Sequence, residues 1–262
     1  MINTRTSLTA LTIILLLQLA GVGLAAQKPL ADWTFERPGD LQGWQPNGHL
    51  AELVVTNGAL SCRAVGSDPI LEYRPLLDLP ASPWQAVEIR LRADSDGTAE
   101  LFWSNTSTGR YGGFAQEKTT RFNVRGDNQW HTYRLLPFWH REGKIVRLRF
   151  DVYDGARFDL ASMRVVELTA RPVAEHSEFD FRQGRDGWQW LEPLGEREAA
   201  PALVSGRIDR CGEGFLLGPP LRINSANNTF VSIRMSVDHG HHGTLFFAAN
   251  NSNGLQKHTF PL

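Results

Sequence analysis

The chain has 262 residues, 42% of them apolar, and a formal net charge of -1. That length accommodates one large core or two of ordinary size. The near-zero charge, with no run of lysine and arginine, offers no field to nucleic acid and excludes it as a partner. Eight tryptophans and 24 glycines without a sustained helical stripe point to strands and tight turns.

Residues 1–26 read as a secretory signal peptide: Arg5 near the start, an apolar run from Leu8 to Leu19, and small residues through Ala25 and Ala26. The run is too short to span a bilayer. Cleavage after Ala25 or Ala26 leaves a chain beginning near Gln27, with no membrane span and a secreted or periplasmic location. No cysteine follows the apolar run to take a lipid.

From residue 32 onward, period-two alternation dominates. Val87, Ile89, Leu91 and Ala93 face one way while Glu88, Arg90 and Arg92 face the other. Val146, Leu148, Phe150 and Val152 alternate in the same way with Arg147, Arg149 and Asp151. The segments "TNG" (56–58), "DSDG" (94–97) and "RGDN" (125–128) supply turns between strands. "DNQWHTYRL" (127–135) sets His131 beside Tyr133, which admits an acid/base pair. Its alternation also reads as a turn leading into a strand, with His131, Tyr133 and Leu135 on one face and Trp130, Thr132 and Arg134 on the other.

The second half repeats the first. "FERPGDLQGW" (35–44) returns as "FRQGRDGW" (181–188), and "LVVTNGAL" (53–60) as "ALVSGRI" (202–208). "VEIRLRAD" (87–94) returns as "VSIRMSVD" (231–238), and "ELFWSN" (100–105) as "TLFFAA" (244–249). Order and spacing are kept. The expected architecture is all-β: two tandem jelly-roll β-sandwiches, at 32–168 and 178–262, joined by a polar linker at 169–177 that contains Pro172. Phe122 and Val124 match Phe260 and Leu262, so the second copy lacks the counterparts of the last strands of the first. The expectation is a fragment of a longer protein. Cys62 and Cys211 follow the same predicted hairpin, one in each copy, and read either as small buried apolar residues or as an interdomain disulfide.

"WTFERPGDLQGW", "VTNGAL", "SDPIL", "AELFWS", "WHTYRL" and "RFDLASMRVVEL" together resemble galactose-binding-like and carbohydrate-binding-module-like β-sandwich domains. Such domains are attached to secreted bacterial polysaccharide-processing proteins. The resemblance implies a secreted, non-catalytic module that recognises an extracellular polysaccharide or glycan. It equally implies the alternative, a structural spacer or interaction domain of a larger secreted glycoside hydrolase or sulfatase, with the catalytic domain fused elsewhere. It also implies a structural calcium, for which Glu36 in "FERPGD" and Asp159 in "RFDLAS" stand at the matching places. Hard oxygen ligands suit that ion, although two carboxylates do not complete its shell. Arg182 replaces the glutamate in the second copy.

Sugar sites set aromatic rings against pyranose faces and fix hydroxyls with a few polar groups. The loop "TGRYGGF" (108–114) offers Arg110 and Tyr111; "PFWHREG" (137–143) offers Trp139 and His140. Each aromatic also reads as a cap on the core. Trp44, Trp103 and Trp130 are expected in the core itself. The outward arginines Arg90, Arg92, Arg147 and Arg149 suit uronate or sulfate groups, or a solvated sheet face. "DHGHHG" (238–243) aligns with an ordinary turn and lacks a second ligand cluster for zinc or copper. No G-x-S-x-G, H-E-x-x-H, phosphate loop or Rossmann glycine pattern occurs, so these residues are not expected to form an enzyme.

Overall fold

The computed structural model describes residues 29–182, 184–191, 195–196, 206–207, 215–224, 226, 229–238, 240–249 and 254–262. The expected signal peptide, Cys211 and His239 lie outside the described residues. Thirteen strands precede residue 168. They are β1 (Pro29–Trp33), β2 (Trp44–Pro46), β3 (Leu50–Thr56), β4 (Ala59–Ala64), β5 (Ile70–Tyr73), β6 (Leu79–Pro80) and β7 (Gln85–Ala93). There follow β8 (Gly97–Ser104), β9 (Thr119–Val124), β10 (His131–Leu135), β11 (Lys144–Ile145), β12 (Arg147–Asp151) and β13 (Arg157–Glu167). Among the described residues, no helix is long and apolar enough to cross a membrane.

The strands form two antiparallel sheets, each with one apolar face. The first has six strands and runs β10-β7-β13-β4-β3, with β1 also pairing β13. The second has five strands and runs β2-β5-β12-β8-β9. A short β6–β11 ladder closes one end. Strict alternation settles which face turns inward. Ile89, Leu91, Met163 and Val165 from the first sheet meet Leu101, Trp103, Leu148 and Phe150 from the second in one buried cluster. The result is a β-sandwich formed by β1 to β13.

Aromatic contacts reinforce the core. Trp33, Trp44 and Tyr73 interlock with ring centroids 4.9–5.5 Å apart, and Trp103 meets Trp139 edge-on at 5.8 Å. Edge-to-face geometry sets the positive ring edge against the negative face, adding to the burial of area. Trp44 and Trp103 are fully buried, as expected. Trp130 is not. It lies on the polar outer side of the six-stranded sheet, where Arg90 and Arg92 approach its ring at 5.1 and 4.9 Å. It immediately precedes β10, out of phase with His131, Tyr133 and Leu135, so its indole is turned away from the core. Cys62 faces inward from β4, unbridged and buried; burial, and then the charge of Asp159, push its thiol well up.

The described second half holds three two-stranded ladders. β14 (Gln189–Leu191) pairs β17 (Phe215–Leu217), β15 (Gly195–Glu196) pairs β16 (Gly206–Arg207), and β18 (His242–Phe247) pairs β19 (Gln256–Pro261). The last ladder keeps the register of the first copy. Glu100 faces Arg121 in β8–β9, and their sequence counterparts Thr244 and Thr259 face each other in β18–β19. One expected strand is absent: 231–238, the counterpart of β7, is not a strand. β7 is flanked by β10 and β13 on its two edges, and no described strand pairs with 231–238. Without partners an extended segment leaves its backbone groups unpaired, and Val231, Ile233, Met235 and Val237 are exposed.

Candidate ligand-binding site

The outer face of the five-stranded sheet is polar but closely packed. β12 directs Arg147, Arg149 and Asp151 outward, β5 directs Glu72, and β8 directs Glu100 and Phe102. In the apolar run Leu101-Phe102-Trp103, only the middle ring points away from the core. It is still buried, because the Arg149 guanidinium lies over it at 4.9 Å. Arg149 also donates through Nε to Asp151 at 2.7 Å and through Nη2 to the same carboxylate. Arg147 repeats the arrangement one turn of the pleat away, over Phe114 at 4.7 Å and donating to Glu72. A guanidinium stacked on a phenyl ring and held by a carboxylate is fixed in place, with its donors already oriented. Burial works against the charge of Arg149, yet Asp151, Asp68 and Glu72 together hold its pKa above the ordinary value. Burial also lifts the Asp151 carboxyl above the usual range, despite the two bonds it accepts.

The loop 105–118 leans against this face. Its turn Arg110–Gly113 is a short 3-10 segment in which Tyr111 (φ 53°) and Gly112 (φ 66°) leave helical geometry. Gly109 and Gly113 are also at positive φ. A Cβ at 112 would be strained at this positive φ and would lie 1.5 Å from Nη1 of Arg147, displacing the guanidinium. That closeness lets Arg147 donate to the Gly112 carbonyl at 2.9 Å. The loop is thereby tied to β12, and Tyr111 is held outward with 69% of its surface exposed. Arg110 stacks on the Tyr111 ring at 4.7 Å and donates to its hydroxyl at 2.9 Å. A tyrosine in the left-handed region costs about 1–2 kcal/mol. Here that strain presents a large ring to solvent.

The other candidates from the sequence fall elsewhere. Trp139 is a core ring: it is fully buried, and its Nε1 donates to Gln85 Oε1 at 2.6 Å, so no face is free for a sugar. The sequence reading of Trp139 as a binding residue is corrected on this ground. The polar neighbours in "PFWHREG" belong to the turn, while the indole turns inward toward Trp103. His140 is half-buried next to it. Burial, and then Arg141, hold its pKa down against a hydrogen bond that the protonated ring donates to the backbone of Phe138, which raises it. The structure brings Arg110 and Tyr111 together and leaves Trp139 outside the site. Arg147, Glu72 and the Gly112 carbonyl are the supporting groups that sequence reading did not assemble. Their only signal was the outward phase of Arg147 combined with the paired glycines of the loop.

The calcium pair meets a different arrangement. Glu36 is exposed in the loop after β1. Asp159 faces outward from β13, where one carboxylate oxygen accepts from the Ser61 hydroxyl and the other from Nε of Arg92. A carboxylate already bound to a guanidinium does not fit a divalent cation, which the same positive charge would repel. Among the described residues, no group of three or more His, Cys, Asp and Glu is placed to hold a metal ion.

His131 and Tyr133 are structural partners. His131 Nε2 bonds Asp127 at 2.9 Å, and the Tyr133 hydroxyl accepts from the Arg125 backbone N–H at 3.0 Å. Both bonds lock the turn before β10 onto the strand, which pairs β7 in regular register.

No family model matches the chain, and no curated protein matches it. Among solved structures, it is similar to one titled "CBM4 structure and function": 12% identity, 51% of this chain, 96% of that one, TM-score 0.40. It is also similar to an agarase, AgWH50C: 8% identity, 54% of this chain and 26% of that one, TM-score 0.42. A third is the C-terminal CBM6 of the LamC laminarinase from Zobellia galactanivorans: 12% identity, 52% of this chain and 98% of that one, TM-score 0.32.

Proposed function

We propose that this is a secreted, non-catalytic carbohydrate-binding module that holds an extracellular polysaccharide against Tyr111, beside the outer face of the five-stranded sheet. The observation that carries the reading is the strained loop, which keeps an aromatic ring 69% exposed and stacked by Arg110. An apolar ring face in water is what a pyranose needs for stacking, and adjacent guanidinium donors fix hydroxyl oxygens. The open sheet face suits a long chain that passes across it rather than a small molecule enclosed by walls.

Affinity electrophoresis against a panel of polysaccharides tests this. The protein should be retarded by at least one of them, and Tyr111→Ala should weaken that retardation about tenfold, the loss of one stacked ring. Tyr111→Phe, which keeps the ring, should retain most of it. If Tyr111→Ala migrates like the parent in a gel that retards the parent, the site is elsewhere. A second reading is a spacer or interaction domain of a larger glycoside hydrolase or sulfatase. It draws on the exposed apolar row Val231, Ile233, Met235 and Val237, and it gains if no polysaccharide retards the protein.

A further inference from the structure

The opposite side of the sandwich carries a second arrangement, built in three rows across the central strand of the six-stranded sheet. In the first row Glu88 on β7 faces Arg134 on β10 and Arg164 on β13. It accepts from Arg134 Nε at 2.9 Å and from Arg164 Nε at 2.7 Å. In the next row Arg90 faces Thr132 and Ser162. In the third, Arg92 faces Asp159 and donates to it through Nε alone. Arg90 is exposed and, among the described residues, has no carboxylate partner. Both it and Arg92 converge on the ring of Trp130.

Four arginines on these rows meet three carboxylates: Glu88, shared by Arg134 and Arg164, Asp159 on Arg92, and Asp32, which faces Arg164 across the β1–β13 ladder. Positive charge exceeds negative by one on these rows, and the arginine left without a carboxylate is Arg90, while the whole chain carries a formal charge of -1. Trp130 gathers two like charges on one ring; Asp159 neutralises Arg92, whereas Arg90 has the ring but no carboxylate beside it. The stacking fixes the guanidinium planes, so little side-chain freedom is lost when an anion is bound. Small hydroxyl side chains on both sides of Arg90 leave the guanidinium unobstructed and can donate to the same oxygens.

We propose that Arg90, with the terminal amino groups of Arg92 and the hydroxyls of Thr132 and Ser162, binds an anionic substituent of a glycan, a carboxylate or a sulfate. The site is separate from Tyr111 and rests on charge rather than ring stacking. It rests on the polysaccharide reading and gives the two faces different tasks: one stacks on a sugar ring, and the other takes an anionic substituent elsewhere along the glycan.

The test is retention of the full chain on three matrices: polygalacturonate, dextran sulfate and unmodified dextran. The parent should be retained on at least one anionic matrix, and which one tells carboxylate from sulfate. Arg90→Gln should weaken that retention about tenfold, the effect of losing one charge-assisted contact, and Trp130→Phe should weaken it less. Arg63→Gln removes a positive charge that is paired with Glu52 on the same sheet, and it should leave retention unchanged. A protein that a neutral polysaccharide still retards but that neither anionic matrix retains would overturn this site and leave the tyrosine reading standing, so the two failures are distinct. The proposal is overturned if the parent passes both anionic matrices unretained, if Arg90→Gln behaves as the parent does, or if Arg63→Gln loses as much.

Discussion

Trp130 and Trp139 show how little a single residue's neighbours in sequence say about its fate. Both stand in polar turns, "NQWHT" and "PFWHR". Trp139 is enclosed by the core and bonded to Gln85, whereas Trp130 lies outside between two arginines. Trp139→Ala should therefore act on stability, not on binding. Loss of the ring leaves a cavity, and a cost of about 3–5 kcal/mol is expected for a substitution of this kind. Gln85 keeps one donor, the Ser82 backbone N–H, so its oxygen is not orphaned. Chemical denaturation would measure the loss, and a cost below about 1 kcal/mol would mean that the ring is not core. Tyr111 is the reverse case, since its truncation removes exposed surface and should leave the melting temperature nearly unchanged.

At the scale of the element, β7 is the most informative strand. Its inward residues were legible from alternation alone, because a one-residue shift would place every apolar side chain in water. Its outward residues were legible as polar, but their grouping was not. Glu88 is buried despite its outward phase, because Arg134 and Arg164 reach over it from the strands on both sides. Burial by itself would raise its pKa; the bonds from Arg134 and then Arg164 outweigh this and leave it below the ordinary glutamate value. A carboxylate depressed in the folded state stabilises the fold above its unfolded pKa, and that stabilisation is lost as pH falls through the lower folded value. Glu88→Gln should cost about 1–3 kcal/mol at pH 7, with a smaller difference from the parent as the pH is lowered below about 4. Parallel pH titrations of the two melting curves would show it. A difference that persists undiminished at low pH would assign the cost to packing rather than charge.

For the whole molecule, the question is what joins the first strand to the last. The expected answer was calcium between Glu36 and Asp159. The sandwich instead joins them through the backbone, with Asp32 opposite Arg164 and Trp33 opposite Met163 in the β1–β13 ladder. Asp159 serves Ser61 and Arg92. Thermal unfolding should give the same midpoint in millimolar calcium as in chelator, since an ion that binds only the folded state would raise it by mass action. A rise in calcium that Glu36→Gln removes would restore the carboxylate pair as ligands. By itself the sequence determined the alternation of the strands before residue 168, their inward faces and the phase of the outward arginines, since each follows from a period of two and from turn residues read locally. Only the tertiary structure decided which outward groups stay open and which are covered. That depends on arginines and loops arriving from strands far apart in the chain: Arg149 over Phe102, Arg134 and Arg164 over Glu88, and the loop that holds Tyr111 out from Arg147. Periodicity gives each side chain a direction, but it carries no information about what a distant strand will place on top of it.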